Sequence, residues 1–194
     1  MKNRKTRSAM RRMLFTLALV LVVAVASVGG TIAWLTATSE TVTNTFTTSD
    51  INIELKESTG NTYKIVPGAE VKKDPTATVK AGSEKCYLYV KITNDLVLTN
   101  GTVVATYDIG ADWTLVDQKD NTKLYRYNTV IDASQENVSK AVFTKVSYDG
   151  TKITKENIEQ LKNKTIVLTA YAHQSDNTDL ATADAAAKAW AGIN

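Results

Sequence analysis

The chain of 194 residues has one cysteine, one histidine and two prolines. A single cysteine excludes an internal disulfide framework, and a single histidine excludes any zinc site built from paired histidines. Few prolines, nine glycines and 43% hydrophobic residues exclude a collagen-like or disordered chain. Acidic residues are missing from the whole beginning of the chain, where the first is Glu40. Lys2, Arg4, Lys5, Arg7, Arg11 and Arg12 supply six of the 23 basic residues there, so residues 38–194 hold 17 basic against 20 acidic ones, a net of −3. That balance gives no basic face for nucleic acid, and no nucleic-acid partner is expected. G-x-S-x-G, Walker and dinucleotide fingerprints are absent as well, which removes the common hydrolase, nucleotide and cofactor chemistries. No cofactor, metal ligand or catalytic residue is assigned.

What is present begins with an address. Residues 1–12 are basic, and Met13–Val28 is a charge-free apolar run of 16 residues, shorter than the roughly 20 that span a bilayer. Gly29 and Gly30 break the run, and Ala33 and Ala37 offer small residues for cleavage. Basic region, short apolar core and small residues in that order predict a secretory signal peptide over 1–37, formed as an N-terminal signal helix. Membrane contact is then expected only through that segment before cleavage, with a retained anchor as the alternative. The mature protein is expected outside the cell.

Residues 38–194 read as one domain, since no linker or repeat divides them. Short runs with β-branched and aromatic residues recur at Ile51–Leu55, Tyr63–Val66, Thr76–Val79, Cys86–Thr93, Thr102–Thr106, Trp113–Val116, Leu124–Thr129, Val142–Ser147 and Thr165–Ala172. Turn residues separate many of them, Asn100-Gly101 giving the best hairpin signal. The spacing predicts an antiparallel β-sandwich or barrel. One short helix is expected after Thr154, over KENIEQLK. A second is expected over Leu180–Ala191, stopped by Gly192, with Leu180, Ala183, Ala187 and Trp190 on its inner side. Cys86 is in phase with Leu88, Val90 and Ile92 and should be a buried, inert thiol. His173 should be an ordinary end-of-strand histidine. Tyr87, Tyr89, Tyr125 and Tyr127 alternate on strands; this reads as cross-strand pairing or as an exposed stripe that a glycan could use.

Residues 36–49 are nine-fourteenths Thr or Ser. Thr41, Thr43, Thr45 and Thr47 alternate with Val42, Asn44 and Phe46, a strand pattern. Ile51, Ile53 and Leu55 then carry the apolar face on odd numbers, so the phase slips near Ser49-Asp50 and requires a bulge or turn. The segment is either an edge strand on its own domain or one that pairs with a neighbouring subunit. Over 38–50 it is a candidate strand-exchange segment, with Val42, Asn44, Phe46, Ile51 and Ile53 as the residues to carry the exchange.

GGTIAWLTATSE followed by NTFTTSDINIEL resembles the export region and mature start of the TasA/camelysin family of Gram-positive bacteria. Gly30, Thr31, Ala33, Trp34, Asn44, Phe46, Thr47, Ile51, Ile53 and Leu55 carry the likeness, while Ala37 and Asp50 depart mildly from it. VPGAEVKKDPTATVKAGSEKCYLYVKI and LTAYAHQSDNTDLATADAAAKAW are similar to later blocks of the family, in the same order. The resemblance implies a SipW-type signal peptidase as processing partner. It also implies a jelly-roll-like secreted domain that builds surface or biofilm-matrix fibres with copies of itself and other matrix proteins. In such fibres the N-terminal segment of one subunit completes the next subunit's sheet. Camelysin is classed as a metalloendopeptidase; His173 alone does not support transferring that activity. A metal-dependent endopeptidase and a monomeric adhesin or glycan-binding module using Trp113 or the tyrosines are the two alternatives to a fibre subunit.

Overall fold

A computed structural model describes residues 36–38, 43–44, 50–60 and 62–193. The signal-peptide reading up to residue 35, including Ala33, and the candidates Val42 and Phe46 lie outside the described residues. Among the described residues the protein is mainly β, with antiparallel sheets and one α-helix.

The strand Cys86–Asn94, β7, organises the first layer. Its even-numbered Cys86, Leu88, Val90 and Ile92 are fully buried in the main core, and Tyr89 is fully buried on the opposite face. A strand apolar on both faces has to be central, covered on each side. It pairs along its whole length with β13 (Ile166–Gln174) and on its other side with β10 (Thr122–Tyr127). Beyond β10 lies β9 (Trp113–Lys119), and outside β13 lies the two-residue β2 (Thr43–Asn44), giving the order β2-β13-β7-β10-β9. Among the described residues only the β2–β13 pair is parallel in this sheet.

The second layer is built on two long bent strands. β5 (Glu70–Lys72) and β6 (Thr76–Val79) run against β12 (Phe143–Tyr148) and β11 (Val138–Ala141). Val79 lies opposite Val138 and Thr76 opposite Ala141; past the bend, Lys72 lies opposite Lys145 and Glu70 opposite Ser147, so one register runs through. At the bend Pro75 has no N–H to give, and the ladder continues by Val142 N donating to Pro75 O (2.8 Å) and Lys73 N to Thr144 O (2.8 Å). β3 (Ile53–Lys56) flanks β6, and β8 (Ala105–Ile109) flanks β12. The β12–β8 register shifts between Phe143 and Val146. The carboxylate of Asp108 fills that bulge, accepting from Thr144 N (3.0 Å), Lys145 N (2.8 Å) and Thr144 Oγ1 (2.7 Å). Desolvation alone would raise the Asp108 carboxyl, but these hydrogen bonds outweigh it and hold it below its ordinary value.

Between the layers lies one core, from Ile51, Ile53 and Leu55 through Val79, Leu88, Val90 and Phe143 to Ile166 and Ala172. A turn before β5 and the end of β12 meet tightly: a Cβ on Gly150 would sit 2.9 Å from Gly68 N, so only glycine fits at 150. The expected Asn100-Gly101 turn forms, with Gly101 at φ 83°, Gly101 N donating to Leu98 O and Leu98 N to Thr102 O, both 2.9 Å. It closes an isolated Val97–Val103 bridge rather than a longer ladder.

The helix Leu180–Ala191, α1, covers the outer face of the first sheet. Asp179 caps it by accepting from Thr182 N (2.7 Å), and Gly192 ends it at φ 73°. Ala183 and Ala187 pack fully buried on Tyr89, Leu124 and Tyr171, while Leu180, expected on the same face, is 40% exposed. The helix expected after Thr154 is instead a single 3₁₀ turn, Ile158–Leu161. Its two apolar residues are three apart, which suits a period of three, and four residues are too few to repay α-helix nucleation.

A candidate assembly edge

β13 reads IVLTAYAHQ, with no Asp, Glu, Lys or Arg in nine residues. Ile166, Leu168, Ala170 and Ala172 face the main core, and Ala170 and Ala172 are buried to 0% and 3% exposure. Tyr171 belongs to the cluster under α1, on the other face. Trp190 stacks on it at 5.1 Å between ring centroids and 19° between planes, and Lys91 Nζ lies 4.9 Å from the Trp190 ring centre. Arg126 Nη1 donates to Asp184 of α1 (2.5 Å), as does Tyr89 OH (2.8 Å), so a charge-assisted network fastens the helix over the sheet. The Tyr89 hydroxyl is pushed to higher pKa, first by burial and then by the Asp184 carboxylate.

One side of β13 is fully engaged by β7, from Ile166 opposite Asn94 to Gln174 opposite Cys86. On the other side, among the described residues, only Thr43 and Asn44 pair with it, opposite Thr169 and Ala170. β2 and β3 lie close to each other at this edge, where the two layers meet. Thr169 Oγ1 is buried and has no hydrogen-bond partner. The other described piece of the N-terminal segment, β1 (Thr36–Thr38), pairs with β4 (Thr62–Lys64), placing Ala37 opposite Tyr63. Both pieces therefore close on their own chain. Asn44 sits on the β13 edge; Ile51 and Ile53 do not, being buried in the body at 3% and 5% exposure with Ile53 opposite Val79. The exchange candidates thus narrow to residues before Asp50, where a bend marks the expected phase change.

The remaining sequence candidates are structural. Lys73, buried at the bend between β5 and β6, meets Glu57 Oε1 at 2.6 Å, donates to Gly60 O at 3.2 Å and lies 4.1 Å from the centre of the Tyr63 ring. Beside it a cavity of about 30 Å³, lined by Val71, Phe143, Val146, Ile166 and Leu168 among others, holds no more than a water or two. Cys86 is fully buried, and burial pushes its thiol up to about 12, which removes thiolate chemistry at neutral pH. His173 Nδ1 bonds Tyr171 OH at 2.8 Å. The tyrosines form no exposed stripe: Tyr89 packs under α1 while Tyr125 packs in the main core, at 0% and 6% exposure. Residues on successive β positions point to opposite faces, and β7 and β10 each have both faces covered. Trp113 is 5% exposed and spends its indole N–H on Ala141 O (2.7 Å), leaving no ring face for a sugar. Among the described residues no group of three or more His, Cys, Asp or Glu is placed to hold a metal, and no helix is long and apolar enough to cross a membrane. Compared with protein-family models, curated proteins and solved structures, the chain matches none of them.

Proposed function

We propose that the protein is an exported structural subunit of the cell surface or biofilm matrix. In this reading it is a jelly-roll-like sandwich that assembles into fibres when residues 38–49 of one copy add a strand to the β13 edge of the next. The observation that carries the reading is that edge: nine residues without Asp, Glu, Lys or Arg in regular pairing with β7, met outside, among the described residues, by Thr43 and Asn44 of the same Thr-rich segment. Two layers over one core, joined by strands that alternate between them, support the jelly-roll-like part.

A strand supplied by a second copy would make the same backbone hydrogen bonds that β2 makes within its own chain. Exchange then changes few contacts, and its direction is set by concentration and by how much more of the edge the longer strand covers. Twelve residues in extended form reach roughly 40 Å, enough to cross to a neighbour. Head-to-tail pairing of this kind gives a filament where the rotation between copies does not close a ring, which is the arrangement this reading calls for. A SipW-type signal peptidase that frees the segment, and other matrix proteins bearing a similar edge, are the partners this reading calls for.

The test compares mature chains starting at Thr38 and at Asp50 by light scattering and electron microscopy. The longer chain should form filaments and the shorter one should stay monomeric with the same circular dichroism. Equal size distributions would overturn the proposal.

A further inference from the structure

On the side of β7 away from β13, the two layers do not close over each other. A cavity of about 200 Å³ opens between the end of β7, the start of β10 and β8. Its walls come from both layers. Asn94, Lys123 and Tyr125 belong to the first sheet, with Lys123 directly opposite the fully buried Ile92. Ala105 and Tyr107 of β8 belong to the second, and Val103, 43% exposed, lies at the mouth. The assembly reading uses neither β8 nor β10, so this site stands or falls apart from it.

The frame of the cavity is fixed before any ligand arrives. Asn94, itself buried, ties the layers together: its Nδ2 donates to Ala105 O (2.9 Å) and its Oδ1 accepts from Leu96 N (3.1 Å). The β9–β10 turn is pinned to the same place, since Asn94 N donates to Asn121 O (2.9 Å) and Asn121 Nδ2 donates to Asp95 Oδ1. Asp120 takes left-handed backbone in that turn, at φ 52°, which Asp and Asn tolerate better than most residues. The Tyr107 ring is held by stacking on Phe143, 5.2 Å between ring centroids.

Within that frame some polar groups are unspent. Neither the Lys123 ammonium nor the Asp120 carboxylate has a hydrogen-bond or ion-pair partner among the described residues. The Tyr107 hydroxyl is pushed to higher pKa first by burial and then by its hydrogen bond to Tyr125, which marks it as the donor and leaves the Tyr125 proton available.

The lining thus offers one cation, one anion, a hydroxyl donor and an apolar side made of Val103 and Tyr107. An apolar ligand would leave both charges unsatisfied, and a simple ion would satisfy one and be repelled by the other. A saturated ring with hydroxyls on its rim suits all of them. One hydroxyl can accept from Lys123 and another donate to Asp120, while the C–H face lies on the apolar side. Size sets the number of rings: sites for drug-sized ligands start at roughly 300 Å³, and this one takes a single ring.

We propose that the cavity between β7, β8 and β10 binds one neutral pyranose, as the end or a branch of a polysaccharide, with Lys123 and Asp120 on its hydroxyls and Val103 and Tyr107 against its C–H face.

The test is saturation-transfer NMR, which observes the sugar and so reads monomers and filaments alike. The chain starting at Thr38 is mixed with N-acetylglucosamine or with methyl α-glucopyranoside. Saturable transfer should appear with a Kd of about millimolar, the range for a dozen or so heavy atoms in an open site. Lys123→Met and Asp120→Asn should each weaken binding about tenfold, with circular dichroism and melting temperature unchanged. No transfer to either sugar, or the same transfer in wild type and both variants, would overturn the proposal whatever filaments form. Transfer to free serine with none to the sugars would overturn it too, because a zwitterion would then be what satisfies the two charges.

Discussion

The last long strands on the two sides of the five-stranded sheet, β9 at one edge and β13 beside the two-residue β2 at the other, are built to opposite specifications. β9 carries Asp117 and Lys119, and its register with β10 shifts between Leu124 and Tyr125, so Val116 is an extra residue that twists the edge. Asp117 accepts from Gln118 N (2.8 Å) and meets Lys188 of α1 at 3.2 Å; these two contacts, the Gln118 N–H first, hold its carboxyl below the usual range. Charge, a bulge and a backbone N–H already spent are the devices that stop an edge from pairing with another chain. β13 carries no Asp, Glu, Lys or Arg, and its register with β7 has no bulge. It is longer than β9 and, among the described residues of the segment that precedes the body, Thr43 and Asn44 pair with its outer side. In the assembly proposed above, that regular edge takes the incoming strand, and the guarded edge opposite confines pairing to one side.

The largest expected effect breaks the open side of that comparison. Thr43→Pro removes a backbone N–H and bars regular pairing. In the chain from Thr38 it should reduce filament mass, read by sedimentation, at least tenfold, whereas Leu115→Lys on the guarded β9 edge should leave it unchanged. Loss of filaments in the second variant would relocate the interface to β9. Next in size, Trp190→Ala strips the ring stacked on Tyr171 and should cost about 2 kcal/mol in denaturant unfolding. It should also speed hydrogen exchange in β13 more than in β9, because α1 holds the acceptor strand from its outer face.

The strands that could be read from the sequence are those whose side chains decide their faces. Thr76–Val79 appears with the bounds expected, and β7 and β13 within two residues of theirs, because alternating burial leaves a pattern. β5 and β11 were not legible: Glu-Val-Lys and Val-Ser-Lys-Ala carry little apolar signal, and these strands exist because a register set elsewhere runs through the bend at Pro75. Asp108 was equally silent, since its work is to fill a bulge that appears only once β8 and β12 meet. For the assembly edge, the Thr alternation marks a strand and the break near Asp50 marks where the body begins. The partner could not be read, because backbone hydrogen bonds carry no side-chain signature; nor could the contrast of β13 with β9, which depends on which strands end up outermost.

Smaller effects sharpen the comparison by leaving the edge alone. Asp179→Ala removes the cap of α1 and should cost about 1 kcal/mol, with assembly unaltered. Acid should act more gently still. Asp149 is held at about 2 by the Thr151 hydroxyl and then by Lys152, below an ordinary value near 3.8. A carboxyl depressed on folding stabilises the fold above its unfolded value and loses that contribution as pH falls through the folded one. Glu54, Glu70 and Asp132 are lowered in the same direction by their lysine and hydroxyl partners. The melting temperature should therefore be flat above about pH 5 and fall between about pH 4 and 2, with a shallower fall in Asp149→Asn.

The central claim is that the strand on β13 comes from another molecule in the assembled state. A chain from Thr38 bearing both Thr43→Cys and Thr169→Cys, prepared with and without ¹⁵N, tests it directly when the two forms are mixed before assembly, linked and digested. The account predicts linked 43–169 peptides with one heavy and one light partner, in amounts comparable to the same-isotope pairs. Linked peptides that are only heavy with heavy and light with light, in samples that contain filaments, would contradict it.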